Sequence, residues 1–149
     1  MIAADDERAI ARVIDDVFIL TDRKDWATLR ALFVDGPVAV DMSSLAGGGP
    51  VEMSADVLLA GFTVGLHANK LTHHMTTNLH VALTGDAAVV TLHGYAWNKL
   101  ADRPDLWETW GTYTLRVRRQ DSCWKIAGFR YDAKATRGDD GIRTHTQAG

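Results

Sequence analysis

Leu71-Thr72-His73-His74-Met75-Thr76-Thr77-Asn78-Leu79-His80 is where this 149-residue chain changes its period. Upstream of it apolar residues return every three or four positions; downstream they run in long strand-like stretches separated by short polar turns. Ile10, Val13, Ile14, Val17, Phe18 and Leu20 fall on one side of a first helix of about four turns, with Asp5 and Asp6 near its positive end. Asp22 offers an N-cap to a second, shorter helix carrying Trp26, Leu29, Leu32 and Phe33, and Asp35-Gly36-Pro37 stops it. Val38 to Met42 predicts a short strand, Gly47-Gly48-Gly49-Pro50 an irregular link, and Ser54 the cap of a third helix with Val57, Leu58, Phe62 and Leu66. Long strands are predicted over residues 71–83, 87–99, 107–119 and 123–133, with tight connections at Gly85-Asp86 and Gln120-Asp121-Ser122.

Helices first and antiparallel strands after them predict an α+β domain whose helices cover one face of a curved sheet. The length suits one domain, placed at residues 1–134, and residues 135–149 read as a polar, unpatterned, flexible tail.

Composition narrows the function. Hydrophobic residues are 46% and charged residues 23% of the chain, an ordinary globular profile. A net charge of −3 leaves no surplus of cations for a phosphate backbone, so nucleic acid is not an expected partner. Arg116 and Arg118 share one face of a strand and read as solvated. The single cysteine, Cys123, rules out an internal disulfide, fits a reducing compartment, and reads as a buried packing thiol beside Trp124. No stretch is apolar for long enough to cross a bilayer and no leader is recognised, so a cytoplasmic location without membrane contact is expected.

The chemistry lies in the acidic turn Thr21-Asp22-Arg23-Lys24-Asp25-Trp26 and the histidines of the 71–80 strand. A neutral imidazole moves protons near pH 7, and a carboxylate on one ring nitrogen fixes its tautomer and stabilises its charged form. Helix capping is the bland role for Asp22, and an inert hydrogen-bonded sheet residue the bland role for His74. Strand alternation sends His73 and His74 to opposite faces, and a regular strand would leave His74 on the face away from Leu79, Val81 and Leu83. A bulge near Thr77 would reconcile them. Among His73, His74, His80 and His93, adjacent residues diverge and no ligand spacing is formed, so neither a metal nor a cofactor is expected. Glu108 reads as an exposed strand carboxylate.

This order of elements, with Asp22-Arg23-Lys24-Asp25-Trp26-Ala27-Thr28-Leu29-Arg30-Ala31-Leu32-Phe33, Thr72-His73-His74-Met75-Thr76-Thr77-Asn78, Gly111-Thr112-Tyr113 and Trp124-Lys125-Ile126, resembles the SnoaL-like branch of the NTF2-like superfamily. The resemblance implies a cone-shaped α+β barrel with a small-molecule pocket at its open end. It is similar to scytalone dehydratase in placing a catalytic Asp at Asp22 and a catalytic His at His74. It departs from that enzyme where a second His would fall near Asn98 or Lys99, tyrosines near Thr21 and Met42, and a pocket Asn near Thr112 or Tyr113. The implied function is a cofactor-independent lyase or isomerase acting on a small cyclic or polyketide-like compound. Asp22 and His74 are the catalytic pair, and Phe18, Met42, Phe62, Asn78, Tyr95, Trp97 and Trp110 shape the pocket. The alternative is a non-catalytic ligand-binding module or an assembly subunit like the small subunit of a ring dioxygenase. A homo-oligomer, dimer or higher, is also implied.

Overall fold

The structure, a computed structural model, describes residues 2–147. Helix α1 spans Ile2–Arg23, longer than the apolar stripe alone predicts, and buries Ile10, Ile14, Val17 and Phe18 along one side. It ends where Lys24 takes a left-handed conformation (φ 57°) and the Asp25 N–H closes on the Leu20 carbonyl. Asp22 therefore lies in the last turn of α1 and is not the cap of α2 (Trp26–Arg30). That task falls to Asp25, whose carboxylate accepts from the Thr28 N–H at 3.2 Å. The regular part of α2 stops at Arg30, short of the expected Phe33, because Phe33 is drawn into a parallel bridge with Ile126.

The remaining elements are β1 (Pro37–Asp41), α3 (Ser43–Ala46), β2 (Val51–Ser54), α4 (Ala55–Gly65), β3 (Lys70–Thr84), β4 (Ala87–Leu100), β5 (Trp107–Gln120), β6 (Cys123–Gly138) and α5 (Asp140–Thr144). Ser54 caps α4 through the Val57 N–H. The six strands form one curved, unclosed sheet in the order β2-β1-β6-β5-β4-β3. Adjacent pairs are antiparallel except β1 with β6, which run parallel because Val34 and Phe33 bring the chain alongside Ile126 in the same sense. The β5–β6 turn has positive φ at both Asp121 (51°) and Ser122 (64°), the geometry a two-residue hairpin favours.

The buried residues of α1, α2 and α4 meet the inward side chains of the sheet in one core that includes Leu29, Phe33, Val90, Leu92, Leu115 and Ile126. Burying each such side chain contributes about 1.5–3 kcal/mol, which is why the apolar stripes dictate the packing. Two expectations are corrected here. Residues 135–138 extend β6, and α5 follows with Ile142 fully buried against Leu100 and Trp107, so this segment is folded onto the domain. Cys123 opens β6 at an exposed position beside the hairpin turn, while Trp124 takes the buried one.

Candidate active site

The end of α1 and the middle of β3 meet through Asp22. Its Oδ1 accepts from His74 Nδ1 at 2.6 Å and from Thr72 Oγ1 at 2.9 Å, and its Oδ2 accepts from the His74 N–H at 2.8 Å. Both side chains are largely shielded, with 17% of Asp22 and 15% of His74 exposed. Burial alone would raise the Asp22 pKa. The hydrogen bonds from the His74 ring and backbone and from Thr72 outweigh it, and the carboxyl is held below its usual range. An ionised Asp22 accepting at Nδ1 places the proton there and leaves Nε2 with a free lone pair. His73, by contrast, is half exposed, reaches Asp22 only at 4.0 Å, and stacks on Trp97.

The expected bulge is present. Thr77 pairs with His93 and His80 with Thr91, so β3 holds one extra residue there, and Asn78 sits in it with φ 57°. Thr72, His74 and Thr76 thereby share the inward face with Leu79, Val81 and Leu83.

His74 opens onto a cavity of about 260 Å³. Val17, Phe18 and Thr21 of α1 form one wall, Phe62 and Leu66 at α4 another, and Met42 with Leu45 and Ala46 of α3 a third. Ser44 pins α3 there by donating to the Tyr131 carbonyl at 2.7 Å and accepting from the Ala133 N–H. The sheet supplies Ala96, Asn98, Trp107, Thr109, Tyr113, Phe129 and Tyr131, and α5 supplies Arg143. Two glycines shape this wall. A Cβ on Gly94 would lie 2.2 Å from the Tyr113 ring, and one on Gly111 would lie 2.6 Å from the Tyr131 hydroxyl, so both tyrosines lie inward only over bare backbone. Burial, with lesser contributions from Tyr131 and Asp22, pushes the Tyr113 phenol well above its usual range, and it stays protonated at neutral pH.

A SnoaL-like domain profile matches residues 3–130. The chain belongs to the SnoaL-like family. This places it in the NTF2-like superfamily, and solved structures of SnoaL-like form agree in fold. A protein from Kribbella flavida, Kfla4162, superposes with a TM-score of 0.84 at 24% identity over 91% of this chain and 95% of that one. A protein assigned by name as a scytalone dehydratase, from Novosphingobium aromaticivorans, gives 0.81 at 19% identity over 99% and 97%. Hexachlorocyclohexane dehydrochlorinase LinA-type3 from Novosphingobium barchaimii gives 0.75 at 17% identity over 99% and 97%. At these identities the likeness is one of fold. No curated protein is significantly similar in sequence.

Within this SnoaL-like cavity the structure gathers Phe18, Met42, Phe62 and His74, with Asp22 directly behind His74. Four residues expected in the pocket are not in its lining. Asn78 is exposed in the bulge, and Tyr95, Trp97 and Trp110 lie on the other face of the sheet. There Trp110 stacks on Tyr95, and the Tyr95 hydroxyl donates to Glu108 at 2.6 Å. Glu108 is itself buried rather than exposed, clasped by two hydrogen bonds from Arg137 that hold its pKa low. Thr109 and Arg143 line the cavity although no sequence pattern marks them, and Asn98 was given no role. The available signal for Asn98 was its phase with Val90, Leu92 and Ala96 on β4. Among the described residues, no group of three or more His, Cys, Asp or Glu is arranged to hold a metal ion, and no helix is long and apolar enough to cross a membrane.

Proposed function

We propose that this protein is a lyase or isomerase that uses the Asp22–His74 pair for proton transfer on a small cyclic compound, without a cofactor. The observation that carries the proposal is the 2.6 Å bond from His74 Nδ1 to a largely shielded, ionised carboxylate, which leaves Nε2 as a base on an apolar cavity. In the proposed step Nε2 takes a proton from carbon beside an activating group, and Asp22 stabilises the imidazolium as it forms. The same imidazolium returns the proton to another carbon, giving isomerisation, or to a departing oxygen, giving elimination. Phe18, whose ring centroid is 5.6 Å from that of His74, and Phe62 would hold a flat ring against the base.

The test needs no natural substrate. The wild-type protein is expected to accelerate exchange of the α-protons of 2-tetralone into D2O, followed by NMR. His74→Asn should return the rate to background, and Asp22→Asn should lower it by about 10²-fold or more. Unchanged exchange in His74→Asn would sink the proposal.

An assembly role is favoured by a different observation: Leu71, Met75 and Trp110 expose apolar surface on the outer face of β3 and β5. We read that face as the contact between copies of the chain, which is compatible with a working cavity on the inner face.

A further inference from the structure

The segment after β6 is held against the turn between α4 and β3 by a small set of polar contacts. The Gln147 N–H donates to the Val64 carbonyl at 3.3 Å, and the Asn69 amide donates to the Gln147 side-chain oxygen at 3.2 Å. Lys70 Nζ donates to the carbonyls of Arg143 at 2.9 Å and His145 at 2.7 Å. His67 Nε2 and His145 Nδ1 share a hydrogen bond of 2.9 Å, with their ring centroids 5.0 Å apart. The segment in turn closes part of the cavity. Ile142 packs with Leu100, Trp107 and Leu45, and Arg143 lines the cavity together with Trp107 and Leu45.

The histidine bond accepts only one arrangement of protons. A bond between two ring nitrogens needs a single proton, supplied by either ring. The other nitrogen of His67, Nδ1, is buried and has no hydrogen-bond partner among the described residues. A second proton on His67 would put a charged N–H donor where nothing accepts it, which is costly. Protonating both rings would set N–H against N–H across the 2.9 Å contact. Burial, followed by the charges of Lys70, His145 and Lys24, accordingly holds the His67 pKa below its ordinary value. The carboxylates of the region do not offset this, because Asp22 is bound to His74 and Thr72, Asp139 to Arg103, and Asp140 to Arg143. Asp102 and Arg103 line the same surface depression as the two rings, and neither hydrogen-bonds to them.

We propose that the His67–His145 pair, with Lys70 beside it, is an acid-released latch on residues 139–147, and that through this segment it governs access to the cavity. Once the segment lets go, His67 meets water and takes its second proton as an ordinary histidine does, near pH 6.5. The released form thus binds a proton that the docked form refuses. The docked share is therefore constant above about pH 6.5 and falls as the pH drops below it. Asp139 and Asp140 are held below the usual carboxylate range by hydrogen bonds from Arg103 and Arg143, so they keep their charge through this window. The effect on access rests on the cavity being the ligand site proposed above; the latch itself does not.

The experiment is amide hydrogen exchange of the full chain at pH 7.5 and pH 5.5, corrected for the intrinsic pH dependence of exchange. The N–H groups of Ile142 and Gln147 donate to the Asp139 and Val64 carbonyls, and their protection should fall about three- to tenfold at the lower pH relative to β4 and β5, the effect of one added proton. His67→Gln keeps a side chain that hydrogen-bonds but takes up no proton here, and should give equal protection at the two pH values. The His67 ring signals of the wild type, followed by NMR, should titrate over the range in which protection is lost. Naphthalene serves as the cavity probe: its dissociation rate, from NMR line shapes, should rise by a similar factor at pH 5.5 in the wild type and stay level in His67→Gln. Wild-type protection that is the same at both pH values, a loss that persists in His67→Gln, or a His67 titration outside the range of the loss would each overturn the latch. A pH-dependent latch with an unchanged naphthalene rate would overturn its control of the cavity. Naphthalene that binds at neither pH would count against the ligand site itself and, with protection lost as expected, leave the latch in place.

Discussion

At the scale of single residues, Asp22 does two jobs, and they can be separated by measurement. Its oxygens hold the His74 ring, the His74 backbone and Thr72, so it ties α1 to β3 as well as orienting the imidazole. Removing its charge should cost about 1–3 kcal/mol of stability, whereas His74→Asn leaves two of the three bonds available and should cost under about 1 kcal/mol. The pH dependence has a definite sign. A carboxyl with its folded pKa depressed below the unfolded value of about 3.9 stabilises fully above that value and loses the contribution as pH falls through the folded pKa. The Tm of the wild type should therefore fall more steeply than that of Asp22→Asn between pH 5 and pH 2.5; parallel curves would mean that Asp22 bears no such load. The Asp22–His74 pairing was legible through the family resemblance, while strand parity alone left open which of His73 and His74 turns inward; the bulge at Asn78 decides it for His74. The pocket's far wall was legible only in part, because bulk alone does not separate Trp107, Tyr113, Phe129 and Tyr131, which line it, from the aromatic residues of the sheet's other face. Tyr95, Trp97 and Trp110 have the bulk to line a cavity, but the room for one is made where β4 is small, at Gly94 and Ala96.

At the scale of elements, the informative departure is the C-terminal segment. Polar sequence without periodicity gave no hint that β6 continues to Gly138 or that α5 would place Arg143 at the cavity. The contact that ties the segment down involves a distant lysine. Lys70, fully buried at the start of β3, donates through Nζ to the carbonyls of Arg143 at 2.9 Å and His145 at 2.7 Å, and His67 meets His145 at 2.9 Å. No local pattern links residues 70 and 145, so tertiary closure alone reveals the pairing. Burial, with repulsion from Arg143 and Lys24, pulls the Lys70 pKa down to about 8. The unfolded chain, with a lysine near 10.4, keeps the proton over a range where the folded chain has lost it. Stability should accordingly rise as pH climbs from about 8 to about 10.4 and change no further beyond. Lys70→Met should flatten that rise in denaturant melts at pH 7.5 and pH 10, and a variant that kept the wild-type difference would exclude Lys70 as its source.

At the scale of the whole molecule, the sheet has two unlike faces. The inner face is covered by α1, α3, α4 and α5 around the cavity. The outer face of β3, β4 and β5 carries Leu71 at 45% and Met75 at 57% exposure, with Trp110 in the same cross-strand row as Met75 at 36% and Val89 farther along β4 at 40%. β3 is also an edge strand of fifteen residues, the kind of surface that folded proteins normally cover or charge. Two copies laid face to face would bury this apolar patch, while the helices and both cavities stayed on the outside of the pair. The expected result is a dimer by light scattering at micromolar concentration. Met75→Lys puts a charge at the most exposed of these positions and should shift the equilibrium to monomer, without lowering the monomer's own stability by more than about 0.5 kcal/mol, since the side chain packs on nothing essential to the fold. A wild type that is monomeric up to about 100 μM would fall outside the affinity expected of a stable dimer and would leave the outer face free for a different protein. A dimer that survives Met75→Lys would move the interface off this face, to the β2 edge or the exposed side of α4 around Val57 and Val64.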